Sequence, residues 1–183
     1  MVEVATVGNE GMVGLHLFLG ADTTPGHAFT QVPGSALRME AGQFRAVAED
    51  REFARLLHRY TQALLVQISQ ATACNRVHAA QQRCARWILM THDRVKGDTF
   101  QLTQEFLAQM LGERRGTVNG VASALQQAGF IQYVRGQMTI LDRDGLESVS
   151  CGCYRVIRDE YDRMLGGTAR QRGRAIRPRQ RGG

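Results

Sequence analysis

The sequence has no run approaching the ~18 consecutive apolar residues of a membrane span, so no membrane partner is expected. Residues Met1 to Thr6 carry no basic region followed by an apolar core, which argues against a secretory signal and for a cytoplasmic protein. Cysteine is sparse, four in 183 residues, and reads as reduced thiol. Cys151-Gly-Cys153 and the distant Cys74 and Cys84 lack the paired spacing of a zinc site, so they are expected to be structural and no metal is expected. The five histidines (His16, His27, His58, His78, His92) form no HExxH set, and no Ser/His/Asp or phosphate-loop pattern occurs. No catalytic residue is therefore assigned, and the chain is not expected to be an enzyme.

What is present is a 43% hydrophobic chain with a net charge of +6, long enough to bury a sizeable core. The charge is unevenly placed. Residues 166–183 hold six arginines (Arg170, Arg172, Arg174, Arg177, Arg179, Arg181) and no acid; the remaining 17 basic residues match the 17 acidic ones. That Gly/Arg/Gln-rich tail has almost nothing apolar to repay ordering and is expected to be disordered. It reads equally as a solvated end or as a loose attractor of phosphate backbones.

The body changes character along its length. Residues 1–40 contain two of the three prolines, with strand-like alternation at Ala28-Phe29-Thr30-Gln31-Val32 and, after Pro33-Gly34, at Ala36 to Met39. Asp50 to His78 has neither proline nor glycine and is expected to be one helix capped by Asp50. Phe53, Leu57, Tyr60, Leu64, Gln67, Ala71, Cys74 and His78, spaced by four and three, form a coiled-coil seam. The seam either packs on the chain's own core or meets a second copy. A helix of this length spans about 42 Å, more than a small domain's width, which favours the dimer.

A shorter helix from Ala79 to about Thr91 precedes the segment Phe100 to Phe130. There Thr103 can cap a helix with Glu105 in its first turn, Ala108 is small where two helices cross, and Gly112 suits a tight turn. Val118, Val121, Ala122 and Leu125 fall on the inner face of a second helix, and Gly129 with Phe130 suits a Schellman end. This is the helix-turn-helix pattern. Phe130–Val134 and Gln137–Leu141 flank Arg135-Gly136 as a hairpin, which makes a winged helix. Asp142 or Asp144 then caps a last helix to about Leu165, with Tyr154, Ile157, Tyr161 and Leu165 as its apolar stripe.

Strands, a long helix and a winged helix in this order resemble the Crp/Fnr family of bacterial transcription regulators. The resemblance rests on Leu102-Thr-Gln-Glu-Phe-Leu-Ala-Gln-Met-Leu-Gly-Glu-Arg-Arg-Gly-Thr-Val118, on Gln82-Arg-Cys-Ala-Arg86 before it, and on Gly11-Met-Val-Gly14 with Leu17-Phe18, similar to a hairpin of the family's sensory β-roll. It implies an α+β chain: a partial β-roll, cyclic-nucleotide-binding-like, over residues 1–48; a long dimerisation helix over 49–78; a winged helix-turn-helix over 79–147; a C-terminal helix over 148–165; and the tail. It further implies a homodimer that binds palindromic promoter sites on double-stranded DNA and contacts RNA polymerase. The alternative is a sensor-defective interaction protein that heterodimerises with a full-length regulator.

On this reading the second helix turns Arg115, Gly116, Asn119, Gly120 and Ser123 toward a major groove. Arg115, Asn119 and Ser123 are the candidate base contacts, since arginine pairs with guanine and asparagine with adenine. Thr103, Gln104, Arg114, Thr117 and Arg135 are the candidate phosphate contacts. Phe53, Leu57, Tyr60, Leu64, Ala71 and Cys74 are the candidate dimer interface. No cofactor is identified. The family's nucleotide-binding glutamate position is here Leu15 or His16, and its Arg-Ser pair falls at Pro25-Gly26-His27, which argues against cyclic AMP. No cysteine precedes Cys74, which argues against the family's iron–sulfur cluster. The roll is also short at its front, as expected if the chain starts upstream, is a fragment, or carries a decayed sensor.

Overall fold

The computed structural model describes residues 2–166; the arginines expected to form a basic tail lie outside them. Among the described residues the elements are a 3-10 turn at Leu15–Leu17, α1 (Ala41–Val47), α2 (Arg51–Val77), α3 (Ala80–His92), β1 (Thr99–Gln101), α4 (Gln104–Leu111), α5 (Arg115–Gln127), β2 (Ile131–Val134), β3 (Gln137–Ile140), α6 (Arg143–Val149) and α7 (Cys153–Leu165). The class is α+β. No helix among them is long and apolar enough to cross a membrane.

Helix α2 starts where Asp50 accepts hydrogen bonds from the N–H groups of Glu52 (3.1 Å) and Phe53 (2.8 Å). It ends at His78, whose extended backbone breaks the helix before α3. Helix α3 is the centre of the molecule: every residue from Arg83 to Thr91 is buried, with Trp87, Ile88 and Leu89 at most 2% exposed. Around it pack α4, α5, α6 and α7. The sheet is antiparallel in the order β1-β3-β2, pairing Phe100 with Met138 and Tyr133 with Met138. Strand β1 is the one sheet element that the sequence reading did not anticipate.

Three expectations are corrected. The strands of a partial β-roll do not form: among the described residues no strand lies before Thr99. A strand's N–H and C=O groups need a neighbouring strand, and none is present for them. The Gly11–Gly14 stretch lies across α2 instead. Gly11 sits flat against the Tyr60 ring, where any Cβ would collide, and the Tyr60 hydroxyl donates to Met12 O (3.1 Å). Residues 21–30 and 33–40 are exposed throughout.

The coiled-coil seam is the second correction. Leu57, Tyr60, Ala71 and Cys74 are buried inside the single chain, and Phe53 and Leu64 are half-buried. Helix α7 packs along α2, and the N-terminal segment covers the rest: buried Gln67 donates to Thr6 O (3.1 Å). The apolar stripe of α7 (Tyr154, Ile157, Tyr161) supplies the partner surface that a second copy was expected to supply. Third, the C-terminal helix is two helices. Asp142 caps α6 by accepting from Gly145 N (2.9 Å), the chain extends at Ser150, and α7 begins at Cys153. Phe130 packs onto Gly145, which leaves no room for a side chain there.

Candidate nucleic-acid interface

The helix-turn-helix is built by local rules. Thr103 Oγ1 accepts from Phe106 N (3.1 Å) to start α4, and Glu105 lies in the positive first turn. Gly112 ends α4 at φ 63°, ψ 33°, while Glu113 N donates to Ala108 O (2.9 Å). Ala108 is buried at the crossing of α4 and α5. Val118, Ala122 and Leu125, at most 2% exposed, fix the rotation of α5. Its end is the expected Schellman motif: Gly129 has φ 76°, Phe130 N donates to Leu125 O (3.1 Å), and Gly129 N donates to Gln126 O (2.9 Å).

With α5 so rotated, Arg115, Gly116, Thr117, Gly120 and Ser123 are exposed, as the periodicity predicts. Asn119 is not free in the same way. It is half-buried, and its Oδ1 is sealed from solvent without a hydrogen-bond partner. Its position is on the flank of the buried stripe, next in sequence to Val118 and about one turn before Ala122, so packing claims part of the side chain. Arg114 occupies the N-cap position of α5 and is exposed. The first turn of α5 contains no acid, so the positive end of its dipole is left to an external anion.

The wing is pinned to the same edge. Arg135 (φ 50°) and Gly136 (φ 78°) form the two-residue turn between β2 and β3, both with positive φ, as a type I′ hairpin turn requires. Leu102 N donates to Gly136 O (2.8 Å), so the turn lies beside Thr103 and the start of α4. The Tyr133 hydroxyl donates to Leu102 O (2.7 Å), and Tyr133 N donates to Gln126 Oε1 (2.8 Å). Burial holds the Tyr133 phenol above its ordinary pKa and keeps it a donor. Thr103, half-buried Gln104 and exposed Arg135 are thereby gathered at one end of the interface. Arg114, Arg115 and Thr117 cluster at the N-terminus of α5.

Arg83 performs a role that the sequence did not assign. Its side chain, 8% exposed, forms an ion pair with Glu113, and its Nη1 donates to Leu111 O (3.0 Å). The buried guanidinium ties the turn between α4 and α5 to the central helix. An arginine inside an otherwise apolar helix face was the available signal. The four-residue spacing of Cys74 and His78 was another: the structure brings Cys74, His78, Cys151 and Cys153 together in space.

These features define a winged helix-turn-helix protein. Residues 82–149 match the family model of the Crp-like helix-turn-helix domain. Among solved structures, FixK2 from Bradyrhizobium japonicum is similar at 20% identity and a TM-score of 0.54, covering 61% of this chain and 58% of that one. A crp/fnr-family regulator from Eubacterium rectale ATCC 33656 is similar at 19% identity and a TM-score of 0.47, covering 60% and 51%. The chain thus spans little more than half the length of these structures. A comparison with curated protein sequences finds no match.

Proposed function

We propose that the chain is a sequence-specific DNA-binding regulator, which lays α5 in the major groove and flanks it with the wing. It acts as a binding protein rather than an enzyme. The observation that carries this reading is the arrangement of α5. Its inner stripe is buried, its first turn carries exposed Arg114, Arg115 and Thr117 without an acid, and the Arg135 turn is pinned beside α4. Arg115 is the base-reading residue and Ser123 the second candidate; Asn119 reaches a base with its amide NH₂ only, because its oxygen is buried. Thr103, Gln104, Arg114, Thr117 and Arg135 hold phosphates and set the register.

We also propose that binding is by a homodimer on palindromic sites, and that RNA polymerase is the onward partner. Because α7 covers the Leu57/Tyr60/Cys74 face, a second copy would meet α2 along Thr61, Leu65, Ile68 and Thr72, again spaced by four and three. Thr61 and Thr72 satisfy their hydroxyls on Leu57 O (2.7 Å) and Ile68 O (2.9 Å), which leaves their methyl groups for packing. Leu65 is 54% exposed there.

Selection of a binding site from randomised duplexes, followed by fluorescence anisotropy, tests the reading. Arg115→Ala should cost ~1–3 kcal/mol on the selected site and relax preference at one base pair per half-site. Equal weakening on selected and random DNA would make Arg115 a phosphate contact. Sedimentation should give a dimer for the wild type and a monomer for Leu65→Glu. A wild-type monomer bound to a non-palindromic site would end the dimer proposal.

A further inference from the structure

Cys74 and His78 stand one turn apart at the end of α2, so their side chains project from the same face. Cys151 lies in the break between α6 and α7, and Cys153 is the first residue of α7. The three sulfurs and a ring nitrogen of His78 all lie within 4.8 Å of one another. Cys74 Sγ is 3.3 Å from Cys151 Sγ, and Cys153 Sγ is 3.7 Å from His78 Nδ1. The cysteines are at most 6% exposed.

We propose that these four residues form a structural zinc site of the Cys₃His type. A tetrahedral ion with Zn–S of about 2.3 Å and Zn–N of about 2.0–2.1 Å sets neighbouring ligand atoms roughly 3.5–3.8 Å apart. The Cys153–His78 separation of 3.7 Å lies within that spacing, and the Cys74–Cys151 separation of 3.3 Å needs only a small outward shift to reach it. Three thiolates and an imidazole are soft and borderline donors, which suit zinc over magnesium or calcium. An iron–sulfur cluster fits less well, because its ligands are divided among two or four irons and would spread beyond a single ion's shell.

A second observation points the same way. Arg86 is 4% exposed, and its charge acts on the Cys74 thiol, favouring the thiolate. It forms no ion pair with a carboxylate among the described residues. Its Nη1 contacts the Met90 sulfur at 3.2 Å, and its Nε is buried without a partner. A buried guanidinium without a counter-charge is costly. Zn²⁺ held by three thiolates carries a net charge of −1 and supplies that counter-charge. The ion would staple the end of α2 to the α6–α7 junction and hold α7 over the face of α2 that it covers.

Elemental analysis of the chain purified under reducing conditions should find one zinc per chain. Exchange with Co²⁺ should give the visible absorption of a tetrahedral cobalt thiolate. Cys153→Ser and His78→Ala should lose that absorption, whereas Cys84→Ala should keep it, because Cys84 lies outside the cluster. Arg86→Met should weaken zinc about 10–100-fold in competition with a chromophoric chelator, as expected for loss of an outer-shell partner. Should Cys153→Ser or His78→Ala fail to fold, cobalt exchange on the wild type still decides. A wild-type chain that binds neither Zn²⁺ nor Co²⁺ overturns the proposal. So does iron with acid-labile sulfide, or a Cys74–Cys151 disulfide in place of the metal.

Discussion

Residues 99–140 and residues 2–40 satisfy their backbones in opposite ways. In the first region, cap side chains, a Schellman turn and a three-stranded ladder account for the polar groups within the region itself. In the second, the chain borrows partners from elsewhere. Glu3 N donates to Met110 O (3.2 Å), Gln67 donates to Thr6 O, and the Gln31 side chain reaches Thr91 Oγ1 (3.0 Å). The covered part of this segment is a strap over α2, α3 and α4, tied by the buried pair of Arg94 and Glu10 (2.8 Å, 12% and 5% exposed). A locally determined region tolerates change in its neighbours, whereas a strap depends on the surface beneath it.

The largest test of that contrast is Arg83, which reaches from the central helix to hold the turn of the locally determined region. Arg83→Met should lower stability by about 3 kcal/mol in urea denaturation, because it leaves the Glu113 carboxylate and Leu111 O partly buried without their donor. Glu113 is a quarter exposed, so water recovers some of the loss. A change below about 0.5 kcal/mol would mean that the caps and Gly112 alone hold the turn.

The same contrast explains how much was legible beforehand. Apart from β1, the winged helix is legible to within a residue or two because caps, Gly112, Gly129 and the Val118/Leu125 stripe all act over three to five positions. Ala28 to Met39 alternates like a strand, yet alternation states only which face would be buried if a neighbour existed. The seam on α2 was correctly placed but wrongly partnered. A heptad stripe specifies an apolar face, and α7, some 90 residues further on, satisfies that face as well as a second copy would. The cysteine cluster escaped for the same reason, since its two halves are separated by more than seventy residues of chain. Asn119 was assigned to the groove by periodicity alone, which does not resolve the flank of a helix from its crest.

A smaller effect is expected within the strap. Gly11 lies where a Cβ would meet the Tyr60 ring, so Gly11→Ala must lift the strap or shift the ring, and Tyr60 also holds Met12 O. Native-state hydrogen exchange should show faster exchange at Gly11, which donates to Gly8 O (3.3 Å), and at Leu17, which donates to Gly14 O (3.0 Å). The amides of Val118 and Leu125 in α5 should be unchanged. Faster exchange in α5 as well would show that the strap supports the winged helix rather than resting on it.

The smallest effect sharpens the comparison from the other side. Leu37 is fully exposed and lies in a stretch, residues 33–40, where no side chain is covered. Its transfer free energy is therefore already lost in the folded chain, and truncation removes nothing that folding had gained. Leu37→Ala should change the urea midpoint by no more than an equivalent of about 0.5 kcal/mol, the usual range for an exposed position. Were Leu37 instead part of a packed β-roll, the same truncation would cost about 2–5 kcal/mol, as for any buried leucine. The two outcomes differ by more than the error of a denaturation curve, so a single variant separates an uncovered segment from a buried strand. A loss in the larger range, appearing only as protein concentration is raised, would assign the cover to a second copy of the chain.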